Sequence, residues 1–219
     1  KETNIRHLFQ LRSFLLKQMP LQRTEKTNQM KRFLISLAFL FAGLWSSGQS
    51  GFRFPALDKS PMDMSYYPAN YPVLRIQPNK TPEPLVARVI YSRPQKMGRK
   101  VFGELVEDGK IWRLGANEAT EIEFFREVKI AGKKVKKGRY TLYALETKTR
   151  WTIILNTELD IWGAFKYDAA KDVLRTDCTV AKTAETVEAF TIVFEKVNDR
   201  TCNLVMAWED AMVALPISW

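Results

Sequence analysis

Arg113, Asn117 and Glu118 sit in one short stretch, WRLGANEAT (residues 112–120), which brings a guanidinium, an amide and a carboxylate next to the indole of Trp112. A second stretch, WGAFKYD (residues 162–168), adds the indole of Trp162, the ammonium of Lys166 and the carboxylate of Asp168. Arg93 lies upstream in Tyr91-Ser92-Arg93-Pro94. A guanidinium fork grips carboxylate or phosphate through parallel hydrogen bonds. Amides, carboxylates and aromatic rings on loops suit polar ligands. Together these residues predict recognition of a polar ligand, a glycan or an anionic metabolite. The candidate ligand contacts are Arg93, Arg113, Asn117, Glu118, Trp162, Lys166 and Asp168.

Each candidate also has an architectural reading. Arg113 and Glu118 could form a buried ion pair that fixes the loop. Trp112 and Trp162 could be core residues, because aromatic side chains dominate burial. Asn117 could satisfy a turn through its side chain. Asp168 and Asp172, four residues apart, are expected to cap a short helix in preference to holding a hard cation. Lys133, Lys134, Lys136 and Lys137 flank a turn and are expected to form a solvated edge that blocks aggregation.

Catalytic signals are weak. The sole histidine is His7, ahead of a hydrophobic leader, so the chain beyond that leader lacks the usual base of Ser-His and Cys-His machinery. It lacks the commonest transition-metal ligand as well. No glycine-rich phosphate loop, HExxH or EF-hand loop is present. No catalytic residue, cofactor or metal site is assigned. A non-enzymatic binding or structural module is therefore the favoured reading. The alternative is a hydrolase using paired carboxylates, such as a glycosidase with Glu118 and either Asp168 or Asp172. The two cysteines, Cys178 and Cys202, leave a disulfide and two buried free thiols equally open.

The elements that position these loops read as strands. Ile122 and Phe124 alternate with Glu121 and Glu123. Tyr140, Leu142 and Ala144 share a face, as do Trp151, Ile153 and Leu155, and Phe190, Ile192 and Phe194. Leu204, Met206 and Trp208 continue the pattern. Period-two alternation is the mark of half-buried antiparallel strands. Ala131-Gly132 and Asn198-Asp199-Arg200 supply turns. The expected fold is all-β and mainly antiparallel, with roughly nine or ten strands arranged as a two-sheet sandwich or a barrel-like sandwich. A helical turn is expected within Glu158–Lys171.

Eight of the ten prolines lie between Pro55 and Pro94. X-Pro steps favour extended backbone, so residues 49–84 read as an extended proline-rich arm, with a short strand near Val73–Ile76. Its tyrosines, Tyr66, Tyr67 and Tyr71, argue that it packs on the β domain of residues 85–219. Met30-Lys31-Arg32 followed by the uncharged run Phe33–Trp45 has the form of a signal peptide, residues 30–48, with cleavage after Gly48. Residues 1–29 read as an upstream extension and not a domain. The expected location is therefore outside the cytoplasm, periplasmic or secreted, with no stable membrane span once the leader is removed.

Net charge adds one exclusion. The chain carries +10, of which residues 1–50, with eight basic and two acidic residues, hold +6. The remaining 26 basic and 22 acidic residues give +4. Nucleic-acid binding concentrates basic residues on one surface, and this distribution gives no such signal.

The segments YSRP, QKMGRKVFGELV, IWRLGANEAT, KKGRYTLYAL, WTIILN and WGAFKYD resemble the secreted bacterial family called domain of unknown function 2911. The resemblance runs from about Met62 to Ile217. It implies an exported, β-rich protein of Gram-negative envelopes, and it implies no particular reaction.

Overall fold

A computed structural model of the protein describes residues 28–33, 52–79 and 81–219. The chain divides into two compact units, Lys1–Pro55 and Ala56–Trp219. In the first, residues 28–33 are helical. The upstream extension, the leader beyond Phe33 and its cleavage point lie outside the described residues. None of the described helices is long and apolar enough to cross a membrane.

The second unit contains eleven described strands. They are β1 (Met62–Tyr67), β2 (Ala87–Ser92), β3 (Ile111–Trp112), β4 (Glu121–Phe124), β5 (Val128–Ile130), β6 (Lys133–Val135), β7 (Gly138–Thr147), β8 (Arg150–Asn156), β9 (Asp172–Thr179), β10 (Ala181–Asn198) and β11 (Thr201–Ser218). One sheet runs β1-β2-β4-β7-β8-β9, with β3 pairing β7; the other runs β10-β11-β5-β6. Every strand pairing is antiparallel. Both sheets keep free edges, so the architecture is an open two-sheet sandwich and not a closed barrel.

The inward faces match the alternation in the sequence. Ile122 and Phe124 of β4, Leu142 and Ala144 of β7, and Ile153 and Leu155 of β8 join Phe190, Ile192, Leu204 and Met206 in one core. Removing these apolar faces from water is the dominant favourable term in folding. Trp112 is buried at its centre, with ring centroids 5.0 Å from Phe190, 5.5 Å from Trp151 and 6.1 Å from Trp208.

The proline-rich arm differs in part from expectation. Met62–Tyr67 is a strand, pairing with β2 from Met62↔Ser92 to Tyr67↔Ala87. This run is free of proline, so its amides can join the ladder. Tyr67 is buried in the core. The strand expected near Val73–Ile76 is instead a helical turn, Tyr71–Leu74. Pro72 lies in its first turn, where the missing amide costs nothing.

Two turns follow the sequence signals. Ala131 and Gly132 both have positive φ, 49° and 77°, the requirement of the two-residue turn joining β5 to β6. β6 is the edge of the smaller sheet and carries Lys133 and Lys134, both exposed, as do the flanking Lys136 and Lys137. A 3-10 turn, Ala169–Lys171, occupies the end of the segment where a helical turn was expected.

Candidate functional site

Strands β7 and β8 are buried on both faces. Beyond the main core, Tyr143 and Ile154 form a second cluster on the outer face of the large sheet with Ala119, packed by Ile111, Ile161, Ala164 and Tyr167. This outer cluster is what seats the two mixed-chemistry loops. The loop of residues 113–120 leaves β3, and the loop of residues 157–171 leaves β8. Both fold back over the same patch of sheet.

The first loop is held by its own backbone. The Thr120 amide donates to the Arg113 carbonyl at 3.1 Å, and the Thr120 hydroxyl donates to the Leu114 carbonyl. The indole N–H of Trp112 donates to the Gly115 carbonyl at 3.3 Å. Gly115 has φ of 148°, and a Cβ there would stand 2.9 Å from the Ser92 carbonyl oxygen. Leu114 and Asn117 adopt the left-handed region, φ 54° and 56°, uncommon for residues other than glycine.

The second loop is fixed by polar side chains. Arg139 of β7 donates to Glu121 at 2.6 Å and to Asp160 at 2.8 Å, while the Asp160 amide donates to Glu121 at 2.8 Å. Tyr167 donates its hydroxyl to Asp172 at 2.5 Å. Arg175 donates to the same carboxylate at 2.7 Å, and Asn156 reaches its other oxygen at 2.8 Å. Burial and then the Asp172 carboxylate push the Tyr167 hydroxyl up to about 12, so it remains a donor.

The loops meet through backbone. The Ala119 amide donates to the Ile161 carbonyl at 2.8 Å, and the Gly163 amide donates to the Asn117 carbonyl at 2.9 Å. Glu118 and Trp162 form an isolated antiparallel bridge between them. Asn117, Glu118 and Trp162 therefore belong to one shared surface, while Lys166 is exposed on the second loop.

Within it, the side chains depart from several architectural readings. Arg113 does not pair with Glu118, which is exposed. Burial lowers the guanidinium's pKa, and among the described residues its Nε has no hydrogen-bond partner. Arg113 lines a cavity of about 270 Å³ with Lys110, Glu107, Trp112, Ala164 and Phe165. Trp162 is 61% exposed and Phe165 86% exposed, so neither is a core residue. Asn117 serves the turn through its positive φ and its carbonyl.

Two candidates belong elsewhere. Arg93 is a structural residue: it donates to Asp63 of β1 at 3.0 Å, to the Phe190 carbonyl at 3.2 Å and to Thr191 at 2.9 Å. It ties β1 and β2 to β10 and points none of these donors at the loops. Asp168 caps the 3-10 turn, accepting from the Ala170 amide at 2.9 Å. Neither Asp168 nor Asp172 lines the Arg113 cavity, where the acidic residue is Glu107. Sequence reasoning missed Lys110 and Glu107, which sit in an ordinary turn sequence and reach the cavity only through the fold. Phe165 carried a signal: it is a large aromatic in a loop rich in polar groups.

Cys178 and Cys202 are free thiols, both buried. They lie on β9 and β11, in different sheets. Burial pushes them up to about 11 and about 12. Among the described residues, no group of three or more His, Cys, Asp and Glu is placed to hold a metal ion.

The fold is thus that of an antiparallel β-sandwich with its most mixed chemistry on two paired loops outside one sheet. Residues 79–217 match the family described as "Protein of unknown function (DUF2911)", and the chain belongs to that family. No curated protein and no solved structure matches it significantly.

Proposed function

We propose that the protein is an exported, non-enzymatic binding module whose paired-loop surface takes a polar ligand bearing an anionic group, most simply an acidic sugar. The observation that carries this reading is Arg113. Among the described residues this partly buried guanidinium bonds no carboxylate, and it lines a cavity with one other cation, Lys110, and one carboxylate, Glu107. Desolvating a charge without a partner is costly, and an anionic ligand group would offset that cost. The exposed ring of Phe165, which lines the cavity, and the exposed ring of Trp162 on the same loop suit stacking on a sugar face. A carboxylate-pair hydrolase is the weaker reading, because Asp168 and Asp172 are committed to capping and to the Tyr167–Arg175–Asn156 network.

The test is calorimetric titration with glucuronate-containing and neutral oligosaccharides. Saturable binding of the acidic set, lost in Arg113→Ala, is expected. Equal binding of both sets, or binding unchanged by the substitution, would overturn the reading. Export rests on the Met30-Lys31-Arg32 start and the apolar run Phe33–Trp45. Mass spectrometry of the protein from its native host should find an N-terminus at or near Gln49; a soluble product retaining residues 33–45 would refute it.

A further inference from the structure

Glu146 interrupts an otherwise apolar face. Along β7, Tyr140, Leu142, Ala144 and Glu146 alternate toward the sandwich interior, and Glu146 stands in register with Trp151 of β8. It is 2% exposed. Among the described residues, its Oε2 has no hydrogen-bond partner, and neither has the indole N–H of Trp151. Buried polar atoms are rarely left orphaned, so each such atom calls for an explanation.

Beside it stands Asp108. The Gly109 amide donates to the Glu146 carbonyl at 2.9 Å, holding the 107–110 turn against β7. The Asp108 carboxylate on that turn adds negative charge near the Glu146 carboxyl. Burial first, then the Asp108 charge, pushes Glu146 up to about 7.

Glu146 borders a cavity of about 450 Å³, within the range of small-ligand sites. Phe102, Val180 and Ala211 give it apolar walls, and Asp210 adds a further carboxylate from β11. Lys148 of the β7–β8 turn and Lys182 of β10 stand at its rim, both exposed. The neighbour from β8, Trp151, is uncharged. None of these residues lines the Arg113 cavity.

We propose that this cavity is a second ligand site, independent of the paired loops, which takes a small organic cation with its ammonium head on Glu146 and a short apolar body against Phe102, Val180 and Ala211. The proton on Glu146 occupies the place of that positive charge. An anion would instead meet the carboxyl groups of Glu146 and Asp210. A hard metal ion wants six or more oxygens, and the described residues offer no group of three or more metal-ligating side chains. Binding exchanges one cation for another: the alkylammonium enters intact, Glu146 loses its proton to solvent, and a carboxylate–ammonium pair forms.

Butylamine is the probe, titrated into the full-length protein by calorimetry in buffers of differing ionisation enthalpy. It stays protonated across the range needed, so any pH dependence belongs to the protein. Affinity should rise about tenfold per pH unit below 7 and level off above it, with proton release on the acid side. Glu146→Gln should weaken binding at least about tenfold and flatten the profile, while Arg113→Ala should leave it unchanged. Butyrate binding as tightly as butylamine, affinity independent of pH, or saturable calcium binding lost in Glu146→Gln would each overturn the proposal. Should Glu146→Gln fail to fold, the pH profile and the butyrate comparison decide on the native protein alone.

Discussion

The amide of Gly163 donates to the carbonyl of Asn117 at 2.9 Å, joining two loops that are far apart in the chain into one surface. Both ends of that bond depend on backbone that most side chains disfavour: Asn117 has φ of 56° and Gly163 of 70°. A Cβ at Gly163 would stand 2.6 Å from the Phe165 ring, but that ring is 86% exposed and can swing away. Gly163→Ala should therefore cost only the left-handed strain, about 1–2 kcal/mol. At Gly115 the obstacle is the Ser92 carbonyl, which cannot yield. Gly115→Ala should cost about 2–5 kcal/mol, strain and overpacking together. Chemical denaturation of the two variants should rank them in that order.

Arg113 makes a stability prediction that separates a ligand contact from a structural partner. Had it neutralised a buried Glu118, removing it would cost about 3–5 kcal/mol. With no such pair present, Arg113→Met exchanges a desolvated guanidinium for an apolar side chain of similar reach. Folding stability should stay level or rise by about 1 kcal/mol, while anionic-ligand binding is lost. A thermal melt showing a loss above about 3 kcal/mol would indicate a partner for Arg113 within the protein.

Much of the sandwich was legible because alternation is local. The pattern of Ile122 and Phe124, or of Phe190 and Ile192, reports burial directly, and these side chains are in the core. The two loops were legible as candidate binding segments from their composition, since both are poor strand sequences dense in turn-compatible residues. What could not be read is pairing between distant positions. Arg93 is engaged by Asp63 because Met62–Tyr67 becomes a strand, and proline flanks at Pro61 and Pro68 hide that strand inside an arm-like segment. Trp162 reads like core by residue type, yet the loop that carries it lies over the outer face of the large sheet. Glu146 did carry a signal, a charge placed in phase with apolar neighbours, which alternation alone could have flagged.

The thiols should be silent in the native state. Burial holds Cys178 near 11 and Cys202 near 12, and thiolate is the reactive form. At about pH 8 their alkylation by iodoacetamide should run roughly a hundredfold or more slower than that of an exposed cysteine. Both should react together once the protein unfolds. Intact-mass analysis would show two added groups in denaturant and none without it; a pair of unreactive sulfurs in denaturant would instead mean a disulfide.

Glu146 should make the fold weaken as pH rises. In the unfolded chain its carboxyl titrates near the ordinary value of 4.5, whereas in the folded state it titrates near 7. Between these values the folded protein binds more protons than the unfolded one, so stability falls with increasing pH. The full shift would correspond to about 3 kcal/mol, reduced to about 1–2 by solvent screening at the exposed Asp108 partner. Glu146→Gln removes the titration. The stability of the variant relative to the native protein should therefore climb from about pH 5 to about pH 7.5. A difference that stays constant across that window would mean Glu146 titrates as it does in the unfolded chain.

The last prediction concerns the exposed rings. Trp162 is 61% and Phe165 86% exposed, and the Trp162 backbone is already secured by its bridge to Glu118. Their side chains contribute little to the core, so truncation should scarcely move the fold: Trp162→Ala and Phe165→Ala should each shift stability by less than about 0.5 kcal/mol. Stacking on a ligand is a different matter, because a ring that covers a sugar face loses that contact outright when removed. Each substitution should weaken acidic-oligosaccharide binding several-fold, about 0.5–1.5 kcal/mol by analogy with aromatic pairs. In the native protein the Trp162 indole should report the event through a change in its fluorescence on titration, absent in Trp162→Ala. If both truncations leave affinity untouched while Arg113→Ala abolishes it, the ligand is a compact anion held by charge alone.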